Sequence, residues 1–310
     1  MRYCLQLQEE EIEVGSRLDK CVSDLIEEVS RTAVQNLIQN QKIRVNGRAE
    51  KVSYKIKGDE TIEVDVPDPV EVEILPQDIP FDILYEDSDL LIVNKAKGMV
   101  VHPAPGHYTN TLVNAIMYHC KDELSGINGE IRPGIVHRID KDTTGALIIC
   151  KNDHAHRLIA EQIKEHSVTR KYLGIVCGMV KDDEGTIDAP IGRHRNDRKK
   201  MGIDPSGRNA ITHYKVLERF QKYTYMQFQL ETGRTHQIRV HMASKGHPLL
   251  GDSIYGLAPS NSEKKWKLEG QCLHAESIGF IHPNTGTYME FHAPIPEYFQ
   301  KLLDNFSSSS

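Results

Sequence analysis

Apolar positions near the start of the chain recur at helical spacing. The first series repeats every three or four residues and comprises Leu18, Cys21, Val22, Leu25, Ile26 and Val29, which predicts an amphipathic helix. Ser16 is suitably located to cap that helix. Ser30 begins a second helical series, whose apolar stripe is Val34, Leu37 and Ile38.

Alternation replaces the helical period in the next segment. Residues 42–45 alternate between basic and apolar side chains, and Asn46-Gly47 is a dipeptide typical of tight hairpin turns. Residues 62–66 alternate again, until a Pro-Asp-Pro sequence at 67–69 interrupts the pattern. Two helices followed by short strands are therefore expected in the first 70 residues.

From residue 81 the pattern mixes strands and helices. Leu90–Val93 and Leu147–Cys150 fit short buried strands, residues 154–166 fit a helix, and Ile238–Met242 fits either a strand or a helix. Thr224–Leu230 alternates. Because repeated strand–helix–strand spacing and a Gly-rich loop are both missing from the sequence, a doubly wound dinucleotide-binding fold is disfavoured.

The composition is that of a soluble globular protein. The chain has 310 residues, of which 39% are apolar and 26% charged. It is too apolar for a disordered chain, and no apolar run approaches the ~20 residues that span a bilayer. The formal charge of −6 by itself argues against a nucleic-acid partner.

Charge is sorted along the first domain, however. Residues 9–28 carry eight acids and two bases, whereas residues 31–57 carry seven bases and one acid. The basic stretch includes Arg31, Lys42 and Arg44. Either it is an ordinary solvated face or it contacts phosphates.

The cysteines predict free thiols. The six lie at positions 4, 21, 120, 150, 177 and 272, and no two have the spacing of a zinc ribbon. Glu9, Glu10 and Glu11 interrupt any secretory signal sequence. Reduced thiols without an export signal predict a cytoplasmic protein.

The densest polar segment is residues 134–145, where His137, Arg138, Asp140 and Asp142 precede an apolar strand. A polar loop held by a buried strand is a usual location for catalytic groups. Asp140 is suited to nucleophilic or acid–base catalysis. The alternative is that Asp140 or Asp142 caps a turn.

A second cluster spans residues 231–241 and includes Arg234, His236, Arg239 and His241. Its arginines are suited to pairing with a carboxylate or binding phosphate, or they lie on an exposed strand face. His236 and His241 are five residues apart and do not share a helix face, so we expect no metal site.

Two further segments combine cations with possible RNA contacts. Arg170-Lys171-Tyr172 joins an aromatic ring to two cations, which suits base stacking beside phosphates. The alternative is a tyrosine at a strand end with a solvated hydroxyl. Residues 193–200, which include Arg193 and Arg195, hold five cations and one acid, and form either a solvated turn or a backbone contact.

Residues 15–72 resemble an S4 RNA-binding domain. The resemblance rests on Ser16-Arg17-Leu18-Asp19, Ser30-Arg31, Leu37-Ile38 and Ile43-Arg44-Val45-Asn46-Gly47. It implies RNA binding, with Arg31, Lys42 and Arg44 as candidate contacts, but specifies no reaction.

The whole chain resembles the RluA family of pseudouridine synthases. The matching motifs are Asn94-Lys95 with Gly98, Val101-His102-Pro103, His137-Arg138-Ile139-Asp140 with Thr143-Thr144-Gly145, Lys171-Tyr172, Gly233 to His241, His247-Pro248 with Gly251-Asp252, and Leu273-His274-Ala275. Ala96 stands where the family commonly has proline, and Ile139 where leucine is more usual.

The resemblance implies roles for individual residues. Asp140 corresponds to the catalytic aspartate and Tyr172 to the tyrosine that stacks on the target base and is a candidate for proton transfer at C5. Arg239 is favoured as the arginine that pairs with the aspartate, with Arg234 as the alternative. Arg138 corresponds to an arginine that helps to displace the target nucleotide. The neighbouring His137 is a candidate RNA contact. Arg193 and Arg195 are further candidate RNA contacts.

The resemblance also implies a fold and a function. We expect an α+β chain with an S4-like domain at 15–72 and a catalytic domain with a mixed, mainly antiparallel sheet at 81–304. Apart from the resemblance, the proline-containing segment predicts a linker at 73–80, and the serine-rich end predicts a disordered tail at 305–310. The expected activity is isomerisation of specific uridines in large-subunit ribosomal RNA, without cofactor or metal, by a monomer. The alternatives are a tRNA-directed or dual-specificity synthase and a non-catalytic ribosome assembly factor.

Overall fold

The structure, a computed structural model, describes residues 2–7, 12–26, 29, 31–66, 74–103, 108–121, 124–127, 133–194, 197 and 200–308. The chain divides into two compact units, Met1–Glu71 and Val72–Ser310. Within the described ranges, no helix is both long enough and apolar enough to cross a membrane.

The first unit packs a pair of helices on a small antiparallel sheet. Its described elements are β1 (Arg2–Gln6), α1 (Leu18–Leu25), α2 (Arg31–Gln39), β2 (Ile43–Val45), β3 (Arg48–Ala49) and β4 (Thr61–Asp65). The strand order is β1-β4-β2-β3. Apolar residues of both helices and of β2 and β4 form one buried cluster, because each element buries the apolar face that its period predicts.

The helix and turn predictions for this unit are confirmed, except for one cap. Asn46 and Gly47 both have positive φ, as a tight hairpin turn requires. The N-cap of α1 is Arg17 rather than Ser16, and no side chain caps the helix. Ser16 lies one residue too early, where its carbonyl accepts a hydrogen bond from the Ile56 backbone. The described part of α2 begins at Arg31, and Ser30 lies outside the described residues.

The sheet also includes a strand that precedes the expected domain boundary. In β1, Tyr3 pairs with Val64 and Leu5 with Ile62. Strand β1 therefore belongs to the same sheet as β2 and β4, and the first compact unit extends further towards the N-terminus than residue 15.

The second unit is built on a large sheet. Its described elements are β5 (Asp82–Glu86), β6 (Leu90–Lys95), α3 (Leu112–Cys120), β7 (Thr144–Cys150), α4 (Asp153–Lys164), β8 (Thr169–Cys177), β9 (Glu184–Asp188), β10 (Ile191–Arg193), β11 (Met201–Ile203), β12 (Ile211–Arg219), β13 (Tyr223–Leu230), α5 (Gln237–Ser244), α6 (Asn261–Lys264), β14 (Leu273–Ile281), β15 (Tyr288–His292) and α7 (Glu297–Ser307).

Among the described residues this sheet has nine strands in the order β5-β6-β7-β14-β8-β13-β12-β9, with β15 beside β14. The β7–β14 pair is parallel and the other pairs are antiparallel. A separate hairpin joins β10 and β11. The expected α+β fold with a mixed, mainly antiparallel sheet is therefore confirmed.

Both faces of the sheet are covered at its centre, where all seven residues of β7 are buried. Alternate residues of β6 and β7 belong to two different apolar clusters, one that includes α3 and one that includes α4. This double burial explains why β7 has an uninterrupted apolar sequence instead of an alternating one.

The structure corrects both ends of the expected catalytic domain. The expected linker 73–80 packs on the second unit, since Ile74 is buried and Asn114 of α3 hydrogen-bonds to Leu75 and Gln77. The expected disordered tail is partly helical, because α7 continues to Ser307 and Phe306 is buried. Residues 237–244, whose pattern fitted a strand or a helix, form α5.

Candidate active site

Two threonines fasten the loop that carries Asp140 to strand β14 and to the segment just before it. The Thr143 hydroxyl accepts a hydrogen bond of 3.0 Å from the Gln271 amide, and the Thr144 hydroxyl lies 2.8 Å from Nδ1 of His274. All four side chains are buried. The threonines therefore fix the loop to a neighbouring strand.

Gly145 allows β7 to approach β14 closely. Its φ is +112°, and a Cβ there would collide with the Ala275 carbonyl. Gly145 and Ala275 are partners in the parallel pairing. A larger residue at 145 would push apart the two strands that hold the Asp140 loop.

Lys95, at the end of β6, holds the other side of the loop. This side chain is fully buried, and its Nζ donates hydrogen bonds of 2.8, 2.8 and 2.9 Å to the carbonyls of Ala96, Met99 and Lys141. Burial lowers the pKa of Lys95 to about 7, and the charges of Asp142 and Asp140 oppose that change. Lys95 thus connects the Asn94–Gly98 motif to the residue after Asp140.

Arg239 of α5 connects Asp140 to Asp252. Its Nη1 donates to Asp140 Oδ2 at 2.9 Å, and its Nε and Nη2 donate to the two carboxylate oxygens of Asp252 at 2.7 and 2.9 Å. Side-chain exposure is 5% for Arg239, 0% for Asp252 and 17% for Asp140. The guanidinium is thereby oriented by a buried carboxylate while Asp140 remains accessible.

Electrostatics keep this arrangement charged. Burial alone would raise the pKa of Asp252, but the hydrogen bonds and charge of Arg239 and the backbone amides of Tyr255 and Ile254 lower it. Burial likewise disfavours the charged Arg239, and the two aspartates outweigh it and raise its pKa. An ionised Asp252 beside a permanent cation therefore orients that cation at neutral pH.

His236 lies on the other side of Asp140. It is the N-cap of α5 with φ +58°, its Nδ1 is 2.8 Å from the Tyr255 hydroxyl, and its Nε2 is 3.9 Å from Asp140 Oδ1. The same hydroxyl accepts a hydrogen bond from the Met201 backbone. Burial lowers the pKa of His236, against the charge of Asp140. A neutral His236 that accepts from Tyr255 carries its proton on Nε2, facing Asp140.

Tyr172 and Arg170 lie on the same face of β8, two residues apart. Tyr172 is 7% exposed and Arg170 is 6% exposed, and both line a cavity of about 700 Å³ together with Asp140. Burial raises the pKa of Tyr172, Arg170 lowers it, and Asp140 raises it further. Tyr172 is thus a neutral phenol that lines the cavity, within β8 rather than at its end.

His137 and Arg138 differ in what they offer to a ligand. Nε2 of His137 accepts a 3.0 Å hydrogen bond from the Ile148 backbone, and burial together with Arg170 lowers its pKa to about 3. His137 is therefore neutral and attached to β7. Arg138 is exposed and its Nη1 lies 3.3 Å from Nε2 of His102.

The cavity is strongly basic. Among the residues that the structure describes, its charged lining comprises one carboxylate, Asp140, and six cations, which are Arg138, Lys164, Arg170, Arg208, Arg234 and Arg239. The overall charge of −6 therefore conceals a site suited to a polyanion. A carboxylate within a basic cavity, beside an aromatic ring, suits acid–base or nucleophilic chemistry on an anionic substrate.

The other predicted contacts lie elsewhere. Arg31, Lys42 and Arg44 belong to the first unit, where Arg31 pairs with Asp19 at 2.9 Å and Lys42 with Asp65 at 3.4 Å. Arg44 is exposed on β2. Arg193 ends β10 and does not line the cavity, and Arg195 lies outside the described residues. Acids therefore neutralise part of the basic stretch of the first unit.

One group of potential metal ligands exists among the described residues, namely Asp87, Asp89 and His282. Its atoms already have protein partners: Asp87 accepts from Tyr85, and His282 lies 2.8 Å from Asp87. This group does not line the cavity of Asp140.

Several residues of the site received no role from the sequence. Lys95 and Asp252 lay in recognised motifs. The sequence feature that could have singled them out is a charged residue at the end of an apolar segment, for Lys95, and directly after a glycine, for Asp252. Arg170 lay beside a candidate tyrosine. Arg208 gave no signal at all. His236 was considered only as a metal ligand, whereas the structure directs it towards Asp140.

Comparisons with known proteins identify the family of the chain. A family model described as RNA pseudouridylate synthase matches residues 89–244, and one for the S4 domain matches residues 16–62. An uncharacterized RNA pseudouridine synthase of Bacillus subtilis, YlyB, is 52% identical over 291 residues, which cover 94% of each chain. The ribosomal large subunit pseudouridine synthase D of Zymomonas mobilis is 45% identical over 298 residues, covering 94% of this chain and 93% of the relative.

A solved structure supports the fold alone. Human RNA pseudouridylate synthase domain containing 1 superposes with a TM-score of 0.56 at 24% identity, over 78% of this chain and 98% of the human chain.

Proposed function

Because the chain belongs to the RNA pseudouridine synthase family and contains an S4 domain, we propose that it isomerises specific uridines of large-subunit ribosomal RNA, with Asp140 as the catalytic carboxylate. The chain is an RNA pseudouridine synthase. The choice of ribosomal RNA rests on relatives of 38–45% identity that are named for the large ribosomal subunit.

The reaction requires a carboxylate and no redox change. The N1–C1′ bond of uridine breaks, the uracil turns, C5 bonds to C1′, and the proton lost from C5 is balanced by one gained at N1. Asp140, ionised and hydrogen-bonded to Arg239, either attacks C1′ or removes the C2′ proton to give a glycal. Arg239 stabilises the carboxylate and leaves its second oxygen, Oδ1, for the substrate.

The target base has to leave the stack to reach Asp140, at a cost of a few kcal/mol. The exposed Arg138, at the rim of the cavity, is suited to hold the displaced strand. The Tyr172 ring offers a stacking surface for the flipped uracil, and base–aromatic stacking offsets about 1–3 kcal/mol. Tyr172, as a neutral phenol, is a candidate for exchanging the C5 proton.

The first unit adds RNA affinity in this proposal. Arg31, Lys42 and Arg44 contact the RNA backbone there, and the loop around Arg193 and Arg195 adds contacts in the second unit. The protein acts as a monomer in the cytoplasm, where ribosomal RNA is made and modified.

The observation that supports this function best is the 2.9 Å hydrogen bond between Arg239 and Asp140 in a basic cavity beside Tyr172. The test is to map pseudouridines in total RNA from cells with and without the gene, and from cells that carry Asp140→Asn. We expect sites in large-subunit ribosomal RNA to disappear in both mutant strains. Loss of tRNA sites instead would reassign the substrate, and an active Asp140→Asn enzyme would reject the catalytic role.

A further inference from the structure

The wall of the cavity next to Tyr172 contains three arginines without acidic partners. Arg170, Arg208 and Arg234 all line the cavity. In the part of the chain that the structure describes, none of the three forms an ion pair. By contrast, Arg239 in the same cavity has two carboxylates. Three neighbouring cations without an anion are unfavourable, and an anionic ligand would relieve that cost.

Arg170 is the least solvated of the three. It is 6% exposed, its Nη2 donates to the Glu231 carbonyl at 2.8 Å, and its Nε is buried without a hydrogen-bond partner. A buried guanidinium that has no acidic partner within the described residues, and one N–H group without an acceptor, is costly. Such a group is more readily explained by a ligand than by folding.

Gly233 keeps the space beside this guanidinium open. A Cβ at position 233 would lie 2.8 Å from Nη1 of Arg170, and Gly233 does not have a positive φ. A larger residue at 233 would therefore displace the end of the Arg170 side chain from this position. Gly233 and Arg170 together form a recess in the cavity wall.

Arg234 and Arg208 continue the basic wall. Nε of Arg234 donates to the Asn209 carbonyl at 2.8 Å, next to Arg208 in sequence. Arg208 is exposed and its backbone pairs with Ile191 of β10. Burial, and then the charges of Arg208 and Arg170, lower the pKa of Arg234, so both neighbouring cations disfavour the charge of Arg234.

We propose that Arg170, Arg208 and Arg234 form a phosphate site that binds one of the two phosphodiesters flanking the flipped uridine. This inference rests on the proposed function, since it takes RNA as the substrate. Planar guanidinium groups bind phosphate oxygens through paired hydrogen bonds. Arg170 is two residues from Tyr172 on the same strand face, so the phosphate would be held beside the base that stacks on Tyr172.

The first test compares Arg170→Met with Arg157→Met, which removes an exposed arginine of α4 outside the cavity lining. Fluorescence anisotropy measures binding to a short RNA that contains a mapped target uridine, over a range of salt concentrations. We expect Arg170→Met to raise Kd about tenfold and to reduce the slope of log Kd against log salt by about one. Arg157→Met should change Kd less than about twofold.

Thermal unfolding separates a ligand site from a structural one. Methionine replaces a buried cation that has no acidic partner among the described residues. The Tm of Arg170→Met should therefore equal or exceed that of the wild type. If Tm and binding instead fall together, Arg170 supports the fold, and the phosphate site is rejected.

The second test changes the RNA. Methylphosphonate linkages, which are neutral, replace the phosphate on the 5′ or the 3′ side of the target uridine. At one of the two positions, the neutral linkage should raise the Kd of the wild type about tenfold. The same linkage should not raise the Kd of Arg170→Met further. Equal effects on both proteins, or no effect on either, would overturn the proposal. The proposal would also be overturned if inorganic phosphate competed with the RNA while the neutral linkages left Kd unchanged, since the site would then bind free phosphate.

Pseudouridine formation on the same RNA keeps the two proposals separate. A wild-type enzyme that binds this RNA but forms no pseudouridine refutes the proposed function, while the Kd comparison still decides the phosphate site. An active wild type with an unchanged Kd in Arg170→Met refutes only the phosphate site.

Discussion

Arg239 is fixed to Asp252 by hydrogen bonds of 2.7 and 2.9 Å, and this contact directs its Nη1 to Asp140. Asp252→Asn removes one of the two carboxylate acceptors and the charge that orients the guanidinium. Because a displacement of about 1 Å can reduce a rate about 10²-fold, we expect kcat to fall by about that factor with little change in KM. Single-turnover pseudouridine formation measures it.

Asp183→Asn is the matched control for Asp252→Asn. It breaks an exposed pair, in which Asp183 is 85% exposed and contacts Arg219 at 2.6 Å. We expect a loss of less than ~1 kcal/mol of stability there, against roughly 3–5 kcal/mol for the buried pair. If both variants retain full kcat, Asp252 does not position the arginine.

Lys95 makes the rate depend on pH in a distinctive way. Only the protonated amine has three hydrogens for its three carbonyl partners, and its pKa is lowered to about 7 by burial. We expect kcat to decline as pH rises through about 7, because the amine then loses one of these hydrogen bonds. Lys95→Met should have a kcat lower by about 10-fold to 10²-fold without that decline.

Stability should change in the opposite direction. The folded pKa is lowered, so between about 7 and the unfolded value near ~10.4 the unfolded chain binds more protons at Lys95. The Lys95 contribution therefore makes the free energy of unfolding increase with pH in this interval. The difference between the free energies of unfolding of the wild type and Lys95→Met, measured against pH, isolates this contribution. If the two proteins have the same dependence on pH, the lowered pKa of Lys95 is contradicted.

Tyr172→Phe tests the hydroxyl while retaining the ring. The phenol is neutral because burial raises its pKa, so it can exchange a proton with the flipped base. We expect RNA binding to change less than about threefold and turnover to fall about 10²–10⁴-fold. Tyr118→Phe, at an exposed position of α3, is the control. Unchanged turnover in Tyr172→Phe would leave only a stacking role.

Asp19 organises the basic face of the first unit. Its buried carboxylate accepts from Arg17, Arg31 and Gln35 at 2.9, 2.9 and 2.6 Å. Burial would raise its pKa, but these hydrogen bonds lower it. Asp19→Asn should reduce stability by about 1–3 kcal/mol and weaken RNA binding, because Arg31 loses its orientation. Urea unfolding and anisotropy measure the two effects.

The Asp19 contribution has a defined pH range. A lowered folded pKa means that the stabilisation is complete above the unfolded value of about 3.9 and is lost as pH falls through the folded pKa. The gap between wild type and Asp19→Asn should therefore be constant from pH 5 to 8 and narrow in acid. Asp24 is an exposed acid of α1, so Asp24→Asn should have the same free energy of unfolding as the wild type. A loss of stability equal to that of Asp19→Asn would indicate a general charge effect.

The parts of the site that could be predicted are contiguous in sequence. Asp140 and its threonines, Tyr172 and the arginines of residues 233–241 were all found from local motifs. The choice between Arg239 and Arg234 required the structure, because the apolar pattern of residues 238–242 fits a strand or a helix. Only the helix α5 directs Arg239 to Asp140, while Arg234 bonds to Asn209.

The missed contributions depend on contacts between distant segments. Lys95 reaches a carbonyl 46 positions away, and Arg170 reaches one 61 positions away. Neither contact can be recognised from the sequence pattern. Every residue has a backbone carbonyl, so a side chain that donates to one requires no particular residue type at the partner position. Individual elements such as β2, β13 and α4, by contrast, follow from periodicity, and the resemblance to a known family implied the fold class.

The C-terminal segment shows the same limit and gives a prediction about stability. Serine-rich composition suggested disorder from residue 305, yet Phe306 is 6% exposed and its ring lies 4.6 Å from Tyr223 and 5.2 Å from Trp266. Phe306→Ala should lower the free energy of unfolding by about 3–5 kcal/mol.

Ser307→Ala is the control for Phe306→Ala, since Ser307 is exposed in the same helix and should change stability by less than ~0.5 kcal/mol. Phe306 does not line the cavity of Asp140, so kcat well below the Tm should be unchanged in both variants. Equal stability of the two variants in urea unfolding would mean that the last turns of α7 are not packed in solution, as the composition had suggested.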